Sequence, residues 1–153
     1  TTTTGFGSVF GTINATSASI LTGGVTSGIA SGDDFVMYSF VSIEGYSKID
    51  SYVGNGDADG SFIYTGFRPS FIMIKNMGAT GSWNILDNKR LPYNGAVAPL
   101  FADLTNSESA GDLLDFVSNG VKIRSTDTDI NSNGVSYLYI AFAESPFKYA
   151  NAR

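Results

Sequence analysis

The residues best suited to catalysis in this sequence are carboxylates, because its 153 residues include no His and no Cys. General-base and thiol mechanisms therefore lose their commonest side chains. Two carboxylates about 5–10 Å apart could still hydrolyse a glycosidic bond. The available residues are Glu44, Asp50, Asp87, Glu108, Asp112, Asp115 and Glu144. Their spacing selects no pair, so the sequence predicts a protein that is not an enzyme.

Two loops rich in Asn, Asp and Gly have a pattern that suits a hard cation. In residues 55–60, NGDADG, oxygen-bearing side chains alternate and a Gly closes the turn, as in the first half of an EF-hand loop. Gly66 stands where that loop needs its bidentate Glu, which excludes an EF-hand. A looser version spans 127–134, and turn formation is the alternative reason for both clusters. The predicted Ca²⁺ ligands are Asn55, Asp57, Asp59, Asp127, Asp129 and Asn131. No other cofactor is predicted.

The single Trp stands in a polar run, residues 82–90, that suits carbohydrate binding. An exposed aromatic face beside amide and acid groups can hold a sugar ring. The predicted ligand-binding residues are Trp83, Asp87, Asn88, Arg90 and Tyr93. The alternative is that Trp83 packs in the core of its strand. Three tyrosines, Tyr46, Tyr52 and Tyr64, are predicted to pack as a cross-strand ladder.

The elements that must position these residues are β-strands. The chain is 42% hydrophobic and 15% charged, with 18 Gly, which is typical of a folded, turn-rich protein. Short β-type runs are separated by Gly, Pro and Asn turns, with almost no helical periodicity. They cover 35–43, 46–53, 61–65, 70–76, 82–86, 115–117, 121–124 and 136–144. The pattern predicts an all-β fold, an antiparallel β-sandwich of jelly-roll-like type.

Several local expectations accompany this fold. Residues 35–43 are predicted to form a buried strand, and Asn119-Gly120 a hairpin turn. Residues 100–114 are expected to hold a single helical turn. The segment 35–48 resembles 137–148, which indicates either a modular repeat or two core strands of similar composition. We expect residues 1–33, which carry little charge, to form an arm or weak strands, and residues 34–153 to form the sandwich.

Charge and hydropathy exclude two classes of partner. The net charge is −5, whereas nucleic-acid binding needs clustered Lys and Arg. No apolar run reaches the roughly 20 residues that span a bilayer, so no membrane partner is predicted. The first residues have neither Met nor the pattern of a signal peptide, which suggests a piece of a longer chain.

An ordered series of segments from residue 35 to 153 resembles a β-rich domain of virion structural proteins in tailed phages of the marine and cyanophage type. That domain often lies near the C-terminus of tail-fibre or appendage proteins. The shared segments are GYSK at 45–48, SYVGNG at 51–56, YTGFRPSFIMIK at 64–75, Trp83 with DNKR at 87–90, LDFVSNGVKIR at 114–124 and AFAESPFK at 141–148.

The resemblance implies a structural module on the virion exterior, such as a tail fibre or receptor-binding unit that attaches to the host without catalysis. Its expected partners are further copies of itself in a trimer or array, other virion proteins and a host-surface glycan. The alternatives are a capsid-decoration or lattice- or tube-forming protein and a polysaccharide-cleaving spike. The family's role supplies no site residues to carry over.

Overall fold

The computed structural model describes residues 10–13, 18–20, 38–90, 98–108 and 111–146. The chain divides into two compact units, Thr1–Ser39 and Phe40–Arg153. In the first unit, β1 (Phe10–Ile13) and β2 (Ala18–Ile20) form an antiparallel pair. No helix in the described part of the chain has the length and apolar character needed to cross a membrane.

The described part of the second unit contains eight strands in two antiparallel sheets, which confirms the predicted all-β sandwich. The elements are β3 (Ser47–Val53), β4 (Phe62–Tyr64), β5 (Pro69–Asn76), β6 (Trp83–Asp87), β7 (Leu100–Phe101), β8 (Leu114–Val117), β9 (Gly120–Ile123), α1 (Thr128–Asn131) and β10 (Ser136–Ala143). One sheet has the order β3-β10-β5-β6-β7 and the other β4-β9-β8. The last strand, β10, lies between β3 and β5, so the five-stranded sheet is closed by a long connection through the other sheet.

The inner faces of the two sheets form one hydrophobic core. Alternation along β10 directs Tyr137, Tyr139 and Ala141 inward, where they join β5 residues such as Ile72. The three-stranded sheet contributes Ile63, Leu114, Phe116, Val121 and Ile123. The Tyr137 hydroxyl donates to the Thr128 carbonyl at 2.8 Å, so a buried polar group is satisfied by α1.

The outer face of the five-stranded sheet is also apolar. One row of paired residues crosses all five strands and consists of Ile49, Ile140, Met73, Ile85 and Leu100. These side chains are buried or partly buried. Apolar residues on both faces explain why β5 and β10 read as nearly continuous apolar runs in the sequence.

The exposed edge of β3 is capped by hydroxyl groups. The Ile49 amide donates to Ser42 Oγ at 2.9 Å, and that hydroxyl donates to the Ile49 carbonyl. Further along, Ser61 Oγ donates to the Val53 carbonyl at 2.6 Å. The edge therefore presents fewer unpaired backbone groups to a neighbouring strand, which is how sheet proteins limit edge-to-edge pairing.

The predicted buried strand at residues 35–43 is wrong in its described part, residues 38–43. Val41 is 67% exposed, and the segment makes one isolated bridge, between Ile43 and Ser47. The run lies beside the open edge of β3, where the hydroxyls of Ser42 and Ser47 bond to the backbone in place of a strand ladder. The described residues of the two similar segments therefore adopt different structures.

Two other local predictions need correction. The expected helical turn at 100–114 is absent from the described residues there, where Leu100–Phe101 forms β7 and Leu114 begins β8. The β8–β9 hairpin is confirmed, but Val117 pairs with Gly120, so the turn residues are Ser118 and Asn119. Gly120 serves a different purpose, because a Cβ there would lie 2.1 Å from the Ile63 carbonyl oxygen on β4.

Candidate functional site

The described residues of the sequence-predicted ligand patch lie along the outer face of β6 and just beyond its end. Trp83 begins β6 and Asp87 ends it, which separates them by about 13 Å along the strand. Trp83 is partly buried on the outer face and is not a member of the core cluster. Asn88 donates its side-chain amide to the Pro69 carbonyl at 3.3 Å. Tyr93 lies outside the described residues.

Charged side chains at the end of β6 neutralise one another. Arg90 forms an ion pair with Asp87 and a second one with Glu108, whose Oε2 atom lies 3.0 Å from a guanidinium nitrogen. Its guanidinium also donates to the Ala98 carbonyl. Burial alone would raise the pKa of Asp87, but hydrogen bonds from Arg90 and Lys89 outweigh it and hold that pKa below its ordinary value. These contacts hold Arg90 against Asp87, Glu108 and Ala98 and leave little unpaired charge for a ligand.

A second ion-pair cluster joins Lys89, just after β6, to Glu144 at the end of β10. Glu144 contacts Lys89 Nζ at 2.6 Å and Arg68 Nε at 2.9 Å. The hydrogen bond from Lys89 and the charge of both cations hold the pKa of Glu144 below its ordinary value. The cluster thus ties the strand ends of the five-stranded sheet together.

We expect Glu144→Gln to reduce the loss of stability on acidification. Because the folded-state pKa is lowered, the stabilisation is present above the unfolded pKa of about 4.3 and is lost as the pH falls through the folded value. Urea unfolding at several pH values between 7 and 3 measures this, and the variant should lose about 1 kcal/mol or less at neutral pH. Parallel curves for wild type and variant would contradict the assignment, and Glu44→Gln is the matched control.

The two predicted calcium loops meet through the side chain of Asn131. This residue is fully buried, and its Nδ2 atom lies 3.0 Å from Asn55 Oδ1 and 2.8 Å from the carbonyls of Asp57 and Ser125. Its Oδ1 atom accepts the Asn55 amide at 3.0 Å. Three oxygens thus converge on an amide nitrogen, as oxygens converge on a cation in a metal site.

Of the four remaining predicted ligands of Ca²⁺, Asp57, Asp59 and Asp127 have protein partners, and Asp129 lies in the first turn of α1. Asp57 accepts the Asp59 amide, Asp59 pairs with Lys122 at 2.8 Å, and Asp127 caps α1 by accepting the Asp129 amide. Within the described ranges, no group of three or more acidic side chains is placed to hold a metal ion. Calcium binding stays a prediction of the sequence.

The outer face of the three-stranded sheet carries two exposed aromatic rings. Phe62 and Tyr64 on β4 point to the same side and are 48% and 63% exposed. Their neighbours across the sheet are Lys122, Gly120, Asp115 and Val117. We call these six residues the aromatic face. The predicted ladder of Tyr46, Tyr52 and Tyr64 is therefore wrong, because Tyr52 instead stacks on Tyr137 at 5.1 Å inside the core.

An open groove of about 330 Å³ lies beside Tyr64. We call it the Tyr64 groove. It runs between the turn before β3 and the end of β4, and its lining consists of Ser42, Ile43, Glu44, Gly45, Ser47, Lys48, Tyr64, Thr65 and Gly66. A volume at the lower end of the range for ligand sites suits a ligand of one or two sugar units.

Some polar groups of the Tyr64 groove are hydrogen-bonded to the backbone, and others can bind a ligand. The hydroxyls of Ser42, Ser47 and Thr65 hydrogen-bond to the backbone. The Glu44 carboxylate makes no ion pair or hydrogen bond with any described residue, and neither does the Tyr64 hydroxyl. Lys48 contacts Asp50 at 3.4 Å at the solvent boundary. A ligand in the groove would therefore meet one aromatic ring, a carboxylate and an ammonium group.

A family model matches residues 1–146, which is almost the whole chain. The chain belongs to this family. It is described as a domain of unknown function (DUF7483), so membership in DUF7483 assigns no activity. The match begins at residue 1 and includes the low-charge segment that the sequence analysis set apart. No curated protein and no solved structure matches the chain.

Sequence reasoning missed the site around Tyr64 because its signal depends on the fold. The run Phe62-Ile63-Tyr64 is apolar at every position, so alternation alone does not say which side faces solvent. Glu44 lies twenty positions earlier and reaches the groove through the turn before β3. The usable signal was the pair of glycines, Gly45 and Gly66, both with positive φ angles, since they shape the turns that border the groove.

Proposed function

We propose that this chain is an exterior attachment module of a tailed-phage virion, and that it binds a host-surface glycan without catalysis. The observation that carries the proposal is the exposed Tyr64 ring, which borders both the Tyr64 groove and the aromatic face. The ordered resemblance to phage virion proteins supports the location. Membership in the DUF7483 family is compatible with this role and does not define it.

A sugar ring suits the chemistry of the groove. One side of a pyranose presents C–H groups, and the negative face of an aromatic ring attracts them, while hydroxyls on the rim need polar partners. Tyr64 supplies the ring, and Glu44 and Lys48 supply an acceptor and a donor. A few placed polar groups around one aromatic surface are typical of small-ligand recognition.

The pairing of the acidic side chains favours binding over hydrolysis. Of the carboxylates considered as catalysts, five lie in ion pairs: Asp50, Asp87, Glu108, Asp115 and Glu144. A retaining or inverting glycosidase needs one carboxyl group held protonated and a second one across a cleft. Cationic partners work against the first requirement, because they favour the ionised form.

We expect Tyr64→Ala to lower glycan affinity at least tenfold, because an exposed aromatic anchor provides much of the contact energy in such a site. A printed array of bacterial surface polysaccharides identifies a ligand for the wild-type chain, and biolayer interferometry then measures the affinity of each variant. Tyr64→Phe should retain most of the binding, since it keeps the ring. Exposure of Tyr64 makes a change in unfolding free energy above about 0.5 kcal/mol unexpected.

Two controls locate the site. Val41→Ala removes another exposed apolar side chain outside the groove and should leave binding unchanged. Trp83→Ala tests the patch predicted from sequence, and a loss confined to this variant would move the site to β6 and overturn the groove. Electron cryomicroscopy of intact virions supplies the location: density at tail tips or fibre ends supports attachment, whereas tiling of the capsid contradicts it.

A further inference from the structure

The aromatic face extends the Tyr64 groove in one direction. Phe62 and Tyr64 are two residues apart on the same side of β4, which places their Cα atoms about 7 Å apart, a distance that one to two units of a sugar chain can span. We infer that the ligand is a neutral, linear oligosaccharide that leaves the groove and continues along β4 onto Phe62. This inference rests on the proposed function and adds the class of glycan and its direction.

Each of the two exposed rings lies beside a glycine. The Phe62 ring reaches across β9, and its Cζ atom lies 3.0 Å from the position that a Cβ at Gly120 would take. The Tyr64 hydroxyl lies 3.7 Å from the corresponding position at Gly66. Both rings therefore lean over backbone that has no side chain. Such rings offer a shallow surface to a chain of sugars, in contrast to a deep pocket for one unit.

Charge pairing beside the path favours a neutral chain. Lys122 contacts Asp59 at 2.8 Å, and Arg124 contacts Asp115 at 2.7 Å, so each cation beside Phe62 already has an anionic partner. Glu44 adds negative charge at the groove, and the chain as a whole carries −5. A polyanionic glycan would meet repulsion and find few unpaired cations, whereas hydroxyl groups can hydrogen-bond to the paired side chains without a charge mismatch.

The test is a length series of neutral glycans on the full chain. Cello-oligosaccharides, malto-oligosaccharides and fully N-acetylated chito-oligosaccharides of one to six units serve as probes in isothermal titration calorimetry. We expect affinity for at least one series to rise about tenfold or more between one and four units and then to level off. Phe62→Ala should abolish that rise and leave the affinity for one unit within about twofold, whereas Tyr64→Ala should weaken every length. Phe62→Trp keeps a flat ring and should restore the rise.

The outcomes separate this inference from the proposed function. Affinity that is independent of length, or a rise that survives in Phe62→Ala, overturns the path along β4 and leaves glycan binding intact. Binding to alginate or heparin alone, abolished at high salt, overturns the neutral class. If none of these glycans binds while the array of bacterial surface polysaccharides gives a ligand, the inference fails and the proposed function stands. If the array also gives no ligand, both fail.

Discussion

We expect Asn131→Ala to lower the free energy of unfolding by about 3–4 kcal/mol, a large effect for one side chain. The variant leaves the Asn55 amide and the carbonyls of Asp57 and Ser125 without the fully buried side chain that is their partner. Each buried polar group left unpaired costs about 1–3 kcal/mol. Urea unfolding at neutral pH measures the change.

Two further variants distinguish lost hydrogen bonds from a general sensitivity of the loop. Asn133→Ala lies two residues away and is exposed, so its expected effect is within about 0.5 kcal/mol. Asn131→Asp keeps the shape but turns a donor toward the Asp57 and Ser125 carbonyls into an acceptor. Equal stability of Asn131→Ala and Asn133→Ala would contradict a joining role for Asn131.

The pH dependence of Asn131→Asp has a definite sign. Burial and the facing carbonyl oxygens would raise the pKa of the new carboxyl group in the folded state above the unfolded value of about 3.9. Stability relative to wild type is then highest below that value and falls as the pH rises toward the raised pKa. A cost that is the same at pH 3.5 and pH 7 would show that the carboxyl group escapes to solvent.

Asn131 also shows what a sequence pattern can and cannot specify. The alternation of Asn and Asp in residues 55–60 and 127–134 correctly marks loops whose oxygens converge. It does not reveal that the two loops are neighbours, because 76 positions separate Asn55 from Asn131. Nor does it distinguish an amide donor from a cation as the group on which those oxygens converge.

The strands were predictable where the local sequence pattern favours a strand and a neighbouring strand is available to pair with it. Apolar and β-branched runs bounded by turn residues located β3, β5, β6 and β10 to within about two residues, since their ends coincide with such turns. Residues 38–43 have the same local pattern and stay outside the sheets. The difference lies in how the run meets β3, because serine hydroxyls and one isolated bridge link the two in place of a backbone ladder. Pairing of this kind has no local signature.

The Tyr64 groove could not be predicted for a related reason. Its residues come from the turn before β3 and from the end of β4, which belong to different sheets. Residue type pointed to Trp83, the rarest aromatic, whereas the exposed large aromatic rings on the described strands of the sandwich are Tyr64 and Phe62. The distinction between a ring that packs and a ring that binds depends on which face of a three-residue strand meets the core.

The backbone contact at Gly120 leads to a second large effect. We expect Gly120→Ala to destabilise the chain by about 3 kcal/mol, because its Cβ would lie 2.1 Å from the Ile63 carbonyl oxygen and 3.1 Å from the carbonyl carbon. Backbone atoms cannot turn aside as a side chain can, so β4 must separate from β9. Hydrogen exchange of the β4 amides should accelerate together with the loss of unfolding free energy.

Controls at other glycines give this prediction its specificity. In Gly111→Ala the new Cβ would contact only Leu113 side-chain atoms at ordinary distance, so stability should change little. In Gly134→Ala the new Cβ would meet nothing within 4 Å, but the backbone φ of 73° costs an Ala about 1–2 kcal/mol. Equal stability of Gly120→Ala and Gly111→Ala would contradict the close approach of the strands. Because the Phe62 ring lies over Gly120, we expect Gly120→Ala also to abolish the rise of glycan affinity with length, as expected for Phe62→Ala. The absence of a side chain at Gly120 thus affects both the packing of β4 against β9 and the position of Phe62 on the surface.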